Sequence, residues 1–402
     1  MKKIFIFTNG CTRRKLDVEK MKKYFTLNGY KIIKGIKNAD LIIFVSCAFI
    51  EGRVRESLKI IEELKKYKKE IIVAGCLPEI SKDRLERVFK EKIISTKNFK
   101  EIDNFFKDFQ YKFSIVPDSN LPCFLLSELL LILKTKPLTE LFSLNSFHLV
   151  REFLINAAQS KFIHSRSKIY FLRISQGCLG NCAYCSIRKA IGSLKSKPIE
   201  ICLQEYKQIL NQGCENVVIL GDDVGAYGLD LNTSFPELLN QLSGIEQRIF
   251  VKWSIKEMHP QWIVRYYSDL LNFIRRGKII HILCGIQSGS SRILKLMNRY
   301  SNVEIIKRAL KKFKEVNPNL KLSAQIIVGF PSETEKDFLM TLGFIKEIKF
   351  DEIFIYPYSN QEGTMAFKLP NQISSEIKSK RIKQILTFLR KEKINYYCEN
   401  NL

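Results

Sequence analysis

The chain alternates short apolar runs with longer stretches in which apolar residues recur every three to four positions. Near the N-terminus, Ile4–Phe7, Leu41–Val45 and Ile71–Ala74 are free of charge and rich in β-branched residues, as strands buried on both faces are. Helical spacing marks Asp17–Asn28 and Val54–Tyr67 between them. This βαβαβ order predicts a parallel sheet with right-handed crossovers. A second series begins near Lys168, with strands expected at Ile169–Ile174, Asn216–Leu220, Ile249–Ser254, Ile279–Gly285, Leu322–Val328 and Glu352–Tyr356. The helix expected at Glu200–Gln212 carries Leu203, Tyr206 and Leu210 on one face, and Gly213 follows as a C-cap. Such units predict a full or partial barrel of parallel strands, with its active site at their C-terminal ends. Residues 116–166 are poorly patterned apart from one apolar helix. We therefore expect an α/β protein: an N-terminal parallel βαβ domain over 1–115, a connector over 116–166, and a TIM-type β/α barrel over 167–402 that ends in a basic helical tail, Ile377–Asn395.

Composition narrows the class. The chain has 402 residues, 46% hydrophobic and 27% charged, enough for two domains of ordinary soluble make-up. Lys2 and Lys3 lead straight into the first strand, so no signal peptide is expected. The most apolar stretch, Leu121–Leu133, contains Pro122 and Glu128 and is too short to span a bilayer. A cytoplasmic protein without membrane contact is the expectation. In that compartment eleven cysteines are metal ligands or buried thiols rather than disulfides. The net charge of +25 suggests a polyanionic partner such as nucleic acid, although a general bias towards Lys, Ile, Asn and Phe accounts for it equally well.

The strongest chemical signal is Gly177-Cys-Leu-Gly-Asn-Cys-Ala-Tyr-Cys185, which sets Cys178, Cys182 and Cys185 on the loop after the first barrel strand. One loop with this spacing wraps three thiolates around three corners of a cubane cluster and leaves the fourth iron open. A closed zinc site needs a fourth protein ligand, and no His or Cys follows before Cys202. Cys11, Cys47 and Cys76 each fall immediately after one of the three N-terminal strands. Positions just past strand C-termini in an open parallel sheet converge on one crevice, so these three thiols suit a second cluster, while each taken alone reads as a small buried residue. The four histidines, His148, His164, His259 and His281, are scattered and read as structural.

The first triad resembles the hallmark of the radical S-adenosylmethionine superfamily, and two triads in this order resemble its methylthiotransferase family. Asn9-Gly-Cys with Asp17, Glu19 and Met21, Val73-Ala-Gly-Cys-Leu-Pro78, Gly221-Asp-Asp-Val-Gly-Ala-Tyr-Gly228, Ile286-Gln-Ser-Gly-Ser290, Gly329-Phe-Pro-Ser-Glu-Thr334 and Tyr358-Ser with Gly363-Thr364 are similar to the family's signatures along essentially the whole chain. Ser46-Cys-Ala48 stands where the family usually has Asn-Thr-Cys. The resemblance implies two [4Fe–4S] clusters and S-adenosylmethionine, the cofactor lying near Tyr184, Gly221, Asp222, Asp223, Gln287, Ser288, Gly329 and Glu333. It implies that an adenosyl radical removes hydrogen from an unactivated carbon, which then receives a methylthio group. It also implies an external electron donor such as flavodoxin or ferredoxin, and we expect a monomer.

Ser175-Gln-Gly-Cys-Leu-Gly-Asn-Cys182 is most similar to the branch acting on threonylcarbamoyladenosine in tRNA. Three departures stand out. Ile191-Gly192 replaces the family's Arg-Gly, the Asn usual after the first cysteine is absent from Cys11-Thr-Arg-Arg-Lys-Leu, and the sequence stops at Leu402, about where a terminal TRAM barrel is expected. A tRNA adenosine beside the anticodon fits the basic charge, with Arg13, Arg14 and Lys15 read either as phosphate contacts at the crevice mouth or, equally well, as a solvated helix start. A peptide or protein side chain is the alternative substrate, and a non-catalytic iron–sulfur electron carrier is the alternative of another class.

Overall fold

The computed structural model describes residues 1–120, 169–246 and 250–399. The expected apolar helix in Leu121–Leu133, most of the 116–166 connector, His148 and His164 lie outside the described residues. The N-terminal sheet consists of β1 (Lys3–Thr8), β2 (Lys31–Ile32), β3 (Leu41–Ser46), β4 (Glu70–Gly75) and β5 (Lys92–Ser95), parallel throughout in the order β2-β1-β3-β4-β5. The period of two in β3 decides where each side chain goes. Leu41, Ile43 and Val45 join Met21, Tyr24 and Phe25 of the helix Thr12–Leu27 on one face. Ile42 and Phe44 join Val54, Ile61 and Leu64 of the helix Glu51–Lys65 on the other. Covering both faces explains why the interiors of β1, β3 and β4 carry no charge, Lys3 and Glu70 standing at exposed first positions. The short β2 and β5 were not legible, because Lys31 and Lys92 begin runs too brief to show a pattern.

The second sheet has seven parallel strands: β6 (Ile169–Arg173), β9 (Asn216–Leu220), β10 (Lys252–Met258), β11 (Ile279–Gln287), β12 (Lys321–Val328), β13 (Glu352–Pro357) and β14 (Asn395–Cys398). A two-stranded antiparallel ribbon, β7 (Ser175–Gln176) and β8 (Lys195–Ser196), brackets the cysteine loop. With β6 and β14 at its edges the sheet is open, a partial TIM-type barrel. Two expectations are corrected. Strand β10 starts later than expected and runs on through Lys256 and Glu257, charged residues on its cavity end that break the apolar run on which the expectation stood; Ile249 lies outside the described residues. The terminal segment is helical only over Ser375–Lys391; Asn395–Cys398 then forms β14 alongside β13, with Ile394 buried. No helix among the described residues is long and apolar enough to cross a membrane.

The two sheets meet with their C-terminal ends facing one cavity. Leu16 of the first helix packs against Ile169, Phe171, Val218 and Leu220 of β6 and β9. Polar links cross the same seam: Gln176 Nε2 to Thr96 O at 3.0 Å, Gln361 Nε2 to Ala48 O at 3.3 Å, and Glu51 N to Ser359 Oγ at 3.1 Å.

Candidate active site

The barrel triad lies on the loop between β7 and the helix Ile187–Ile191. Gly177 enters it at φ +83°, where a Cβ would fall 2.0 Å from Ser193 O, so only glycine lets the two arms of the ribbon close. Gly180 N donates to Cys178 Sγ at 3.1 Å, and Arg299 Nη1 donates to Cys182 Sγ at 3.2 Å. Burial, then the nearby charge of Asp223, pushes the Cys178 thiol up to about 12, and burial also raises Cys185.

The N-terminal triad follows three parallel strands. Cys11 begins the helix Thr12–Leu27, Cys47 follows β3 and Cys76 follows β4. Gly75 at φ +105° lets the β4 end press on β3; a Cβ there would lie 2.3 Å from Ser46 O. Asn9 ties the set together: its Oδ1 accepts from Cys47 N at 2.8 Å, and its Nδ2 donates to Ser57 Oγ at 2.9 Å, which donates to Cys47 O at 2.7 Å. Thr96 Oγ1 lies 3.7 Å from Cys76 Sγ. Burial, then the neighbouring Cys76, pushes the Cys47 thiol up to about 12, and burial raises Cys76.

All six cysteines line one cavity. Their chemistry tests what belongs there. Among the described residues, no three His, Cys, Asp or Glu side chains converge closely enough to hold a single metal ion. Zinc, with sulfurs about 2.3 Å from the ion, would demand that convergence. A cubane presents separate irons at its corners and takes three splayed sulfurs. Thiols that burial holds in the protonated form need such a cationic group before they become thiolates. The donor sets fit clusters.

Four other expected residues share this wall: Tyr184, Asp222, Asp223 and Gln287. Tyr184 Oη accepts from Arg299 Nη1 at 3.1 Å. Asp222 accepts from Gly177 N at 2.8 Å and pairs with Arg13 at 2.9 Å. Asp223 accepts from Trp262 Nε1 at 2.7 Å, its other oxygen has no hydrogen-bond partner, and burial raises its carboxyl to about 6. Gln287 stands at φ +70° with its Oε1 unpartnered. The structure places the remaining four elsewhere. Gly221 sits behind the wall and offers its carbonyl to Arg13. Ser288 Oγ lies 3.3 Å from Thr341 Oγ1. Glu333 accepts from Gly329 N at 2.9 Å and from Arg381 Nη1 at 2.8 Å, which fastens the end of β12 to the helix Ser375–Lys391.

Sequence reading did not single out Arg299, Glu257, Arg53 and Tyr356, all on the cavity wall, where His259, read as structural, also lies and caps the helix Pro260–Arg265. Arg299 follows the short helix Ser291–Leu296, outside any strand-end motif, and only the fold carries it to Cys182. Ile191, where the resemblance leads one to expect Arg, is buried on the same wall. The expectation for Arg14 is corrected, since it is buried and does not face solvent as a phosphate contact, while Arg13 is partly exposed on the cavity wall. Arg13 pairs with Asp222 and Glu257, and buried Arg14 pairs with Asp17 at 3.2 Å. A cation buried beside the first thiol lowers the cost of its neighbouring carboxylates, which is why the pairs form inward.

Comparison with known proteins places this architecture. Residues 172–345 match the Radical SAM superfamily, and residues 3–95 match a family described as uncharacterized protein family UPF0004. Over 393 residues the chain is 32% identical to the ribosomal protein uS12 methylthiotransferase RimO of Clostridioides difficile, covering 95% of this chain and 80% of that one. The chain belongs to the radical S-adenosylmethionine methylthiotransferase family. It is also 28% identical to a probable threonylcarbamoyladenosine tRNA methylthiotransferase of Pyrococcus horikoshii, covering 94% of this chain and 82% of the relative. Among solved structures, the radical S-adenosylmethionine methyltransferase TsrM of Kitasatospora setae shares the fold, with a TM-score of 0.57 at 10% identity over 88% of this chain and 73% of that one. This methylthiotransferase is thus an enzyme whose cofactors are S-adenosylmethionine and two [4Fe–4S] clusters.

Proposed function

We propose that Cys178, Cys182 and Cys185 hold the cluster that meets S-adenosylmethionine, that Cys11, Cys47 and Cys76 hold the second, and that the substrate is a protein side chain, of the kind presented by ribosomal protein uS12. The observation that carries the two-site reading is the convergence of all six thiols on one cavity. When bound, a cluster with an open iron supplies the single electron that splits the cofactor's C–S bond. The chain's own residues hold and orient. Arg299 brings a positive charge against Cys182 and Tyr184, which offsets the negative charge of a thiolate-bound cluster. Asp223 and Gln287 belong to the cavity lining, where a carboxylate and an amide are the acceptor types that an ammonium group needs. Tyr184 stands half-buried beside the loop and lines the cavity with apolar neighbours such as Leu220, Met258 and Leu283.

A protein substrate is supported by two findings. The relative at 32% identity is named for uS12. The two arginines beside Cys11 are engaged by carboxylates, which removes a phosphate-binding set from the cavity mouth. The net charge of +25 and the Pyrococcus relative support tRNA as the second reading. The test uses reconstituted protein with S-adenosylmethionine, sulfide, a reductant, and either a uS12 protein or unmodified tRNA. We expect mass spectrometry to find a methylthio group on uS12 and none on tRNA; the reverse overturns the substrate. Replacing Cys178, Cys182 and Cys185 with Ala should remove about half of the iron and abolish 5′-deoxyadenosine formation. Replacing the other three should remove the other half and spare that cleavage. Full iron in either variant would show that the ligands are misassigned.

A further inference from the structure

Arg13 stands two residues beyond Cys11, yet its side chain reaches across to the other sheet. Its Nε lies 2.9 Å from Asp222 Oδ1, and its Nη1 lies 3.2 Å from Gly221 O and 3.3 Å from Glu257 Oε1. Asp222 continues the chain of contacts, because its Oδ2 accepts from Gly177 N at 2.8 Å, and Gly177 immediately precedes Cys178. A connected path therefore runs from the Cys11 loop through one guanidinium and one carboxylate to the Cys178 loop. Glu257 braces it from the side. It adopts φ +61°, a left-handed conformation uncommon for a residue with a side chain, where the β10–β11 register shifts between Ile255 and Met258. Its second oxygen accepts from Gln325 Nε2 at 3.2 Å, so both carboxylate oxygens are held. Strain of this kind persists where the surroundings over-determine a side chain's position. Arg suits the place because its planar fork reaches two carboxylates and a carbonyl at once, which a lysine ammonium on a flexible stem does not reproduce.

We propose that Arg13 is a positioning residue that clamps the two cysteine triads at a fixed separation through Asp222 and Glu257. The clamp rests on the reading that each triad holds a cluster. Transfer between two sites in one cavity depends on their spacing, and a misplacement of about 1 Å costs on the order of a hundredfold in rate. Cleavage of S-adenosylmethionine rests on the barrel triad, so product formed per cleavage is the quantity that reports on the spacing. The clamp therefore acts on how much cleavage ends in product.

The test compares the reconstituted holoenzyme with Arg13→Ala and Arg13→Lys. Iron content is measured first, then the magnetic interaction between the two reduced clusters by electron paramagnetic resonance, and finally methylthiolated uS12 per 5′-deoxyadenosine. We expect Arg13→Ala to keep the full iron content, to change the magnetic interaction, and to lose roughly tenfold or more in product per 5′-deoxyadenosine formed. Arg13→Lys should recover part of the yield, since an ammonium reaches one carboxylate at a time. An unchanged spectrum with an unchanged yield in Arg13→Ala overturns the clamp. If that variant does not fold, Arg13→Lys decides by the same two readouts, a loss of yield supporting the clamp and full yield overturning it. Iron for only one cluster in the unmodified protein would overturn the two-triad reading itself, before any variant is made, and the clamp with it.

Discussion

His281 sits in β11 with its ring buried and its Nε2 2.9 Å from Ser323 Oγ. Burial, then the charge of Lys256, pushes its pKa down from 6.5 to about 3. The unfolded chain thus binds a proton near pH 6.5 that the folded chain does not accept until about pH 3. The stabilisation is fully present above the higher value and is lost as pH falls through the window, at about 1.4 kcal/mol per pH unit. His281→Gln removes this proton while keeping a partner for Ser323. We expect urea unfolding between roughly pH 6 and pH 5 to show a slope shallower by about that amount; an identical slope would mean that the acid sensitivity lies elsewhere. The reading of His281 as structural came from its isolation in sequence, and its burial agrees. The cysteines were legible for a different reason, since their spacing within a loop or after strands is itself the ligand pattern. Arg299 was not, because a lone Arg after a helix resembles any solvated cation until the fold buries it against Cys182.

At the scale of elements, the parallel strands end in tight places where a side chain does not fit. Gly75 closes β4 onto β3, and an added Cβ would collide with backbone, which has no flexible end to move. Gly75→Ala should cost about 1–3 kcal/mol in chemical denaturation for the left-handed conformation alone. It should also displace Cys76, so we expect iron to fall by about half while 5′-deoxyadenosine formation survives. Full iron with wild-type stability would show that the β4 end tolerates the shift. Apolar runs revealed the central strands to within a residue or two, because double-sided burial forbids charge there. They failed at β14, whose Tyr396 and Tyr397 follow a basic helix and become a strand only by pairing with β13. They failed again at the end of β10, where Lys256 and Glu257 belong to the cavity wall.

For the molecule as a whole, a buried ion network joins the sheets away from the cavity. Arg173 of β6 reaches Asp17 of the first helix at 2.6 Å and Asp118 at 3.0 Å, and Lys20 and Lys197 also meet Asp118. Burial alone would raise the Asp118 carboxyl, but Arg173, Lys197 and Lys20 hold it far below the usual range. Replacing one partner of such a set leaves uncompensated buried charge, so Arg173→Ala should cost about 3–5 kcal/mol. Because Arg173 spans the seam, we also expect the intact protein to unfold in one thermal transition and the variant in two. A cost under about 1 kcal/mol, the value of an exposed pair, would show that the network is solvated rather than buried.

The sequence by itself determined the α/β class, the two β/α series and where the two groups of three cysteines fall, while the chemistry proposed for them came through the family resemblance. Those features rest on local rules: the period of strands and helices, the absence of charge from doubly covered strands, and ligand spacing within a loop. Only the tertiary structure decided which strand-end residues reach the cavity. Tyr184, Asp222, Asp223 and Gln287 line it, whereas Ser288, Gly329 and Glu333, on motifs of equal promise, bind neighbouring elements instead. It also turned Arg13 and Arg14 inward, because a cation near the seam is stabilised more by Asp222, Glu257 and Asp17 than by water. For Arg13 the partners Asp222 and Glu257 lie in the other sheet and meet it only when the two sheets pack, whereas Asp17 lies one helical turn from Arg14.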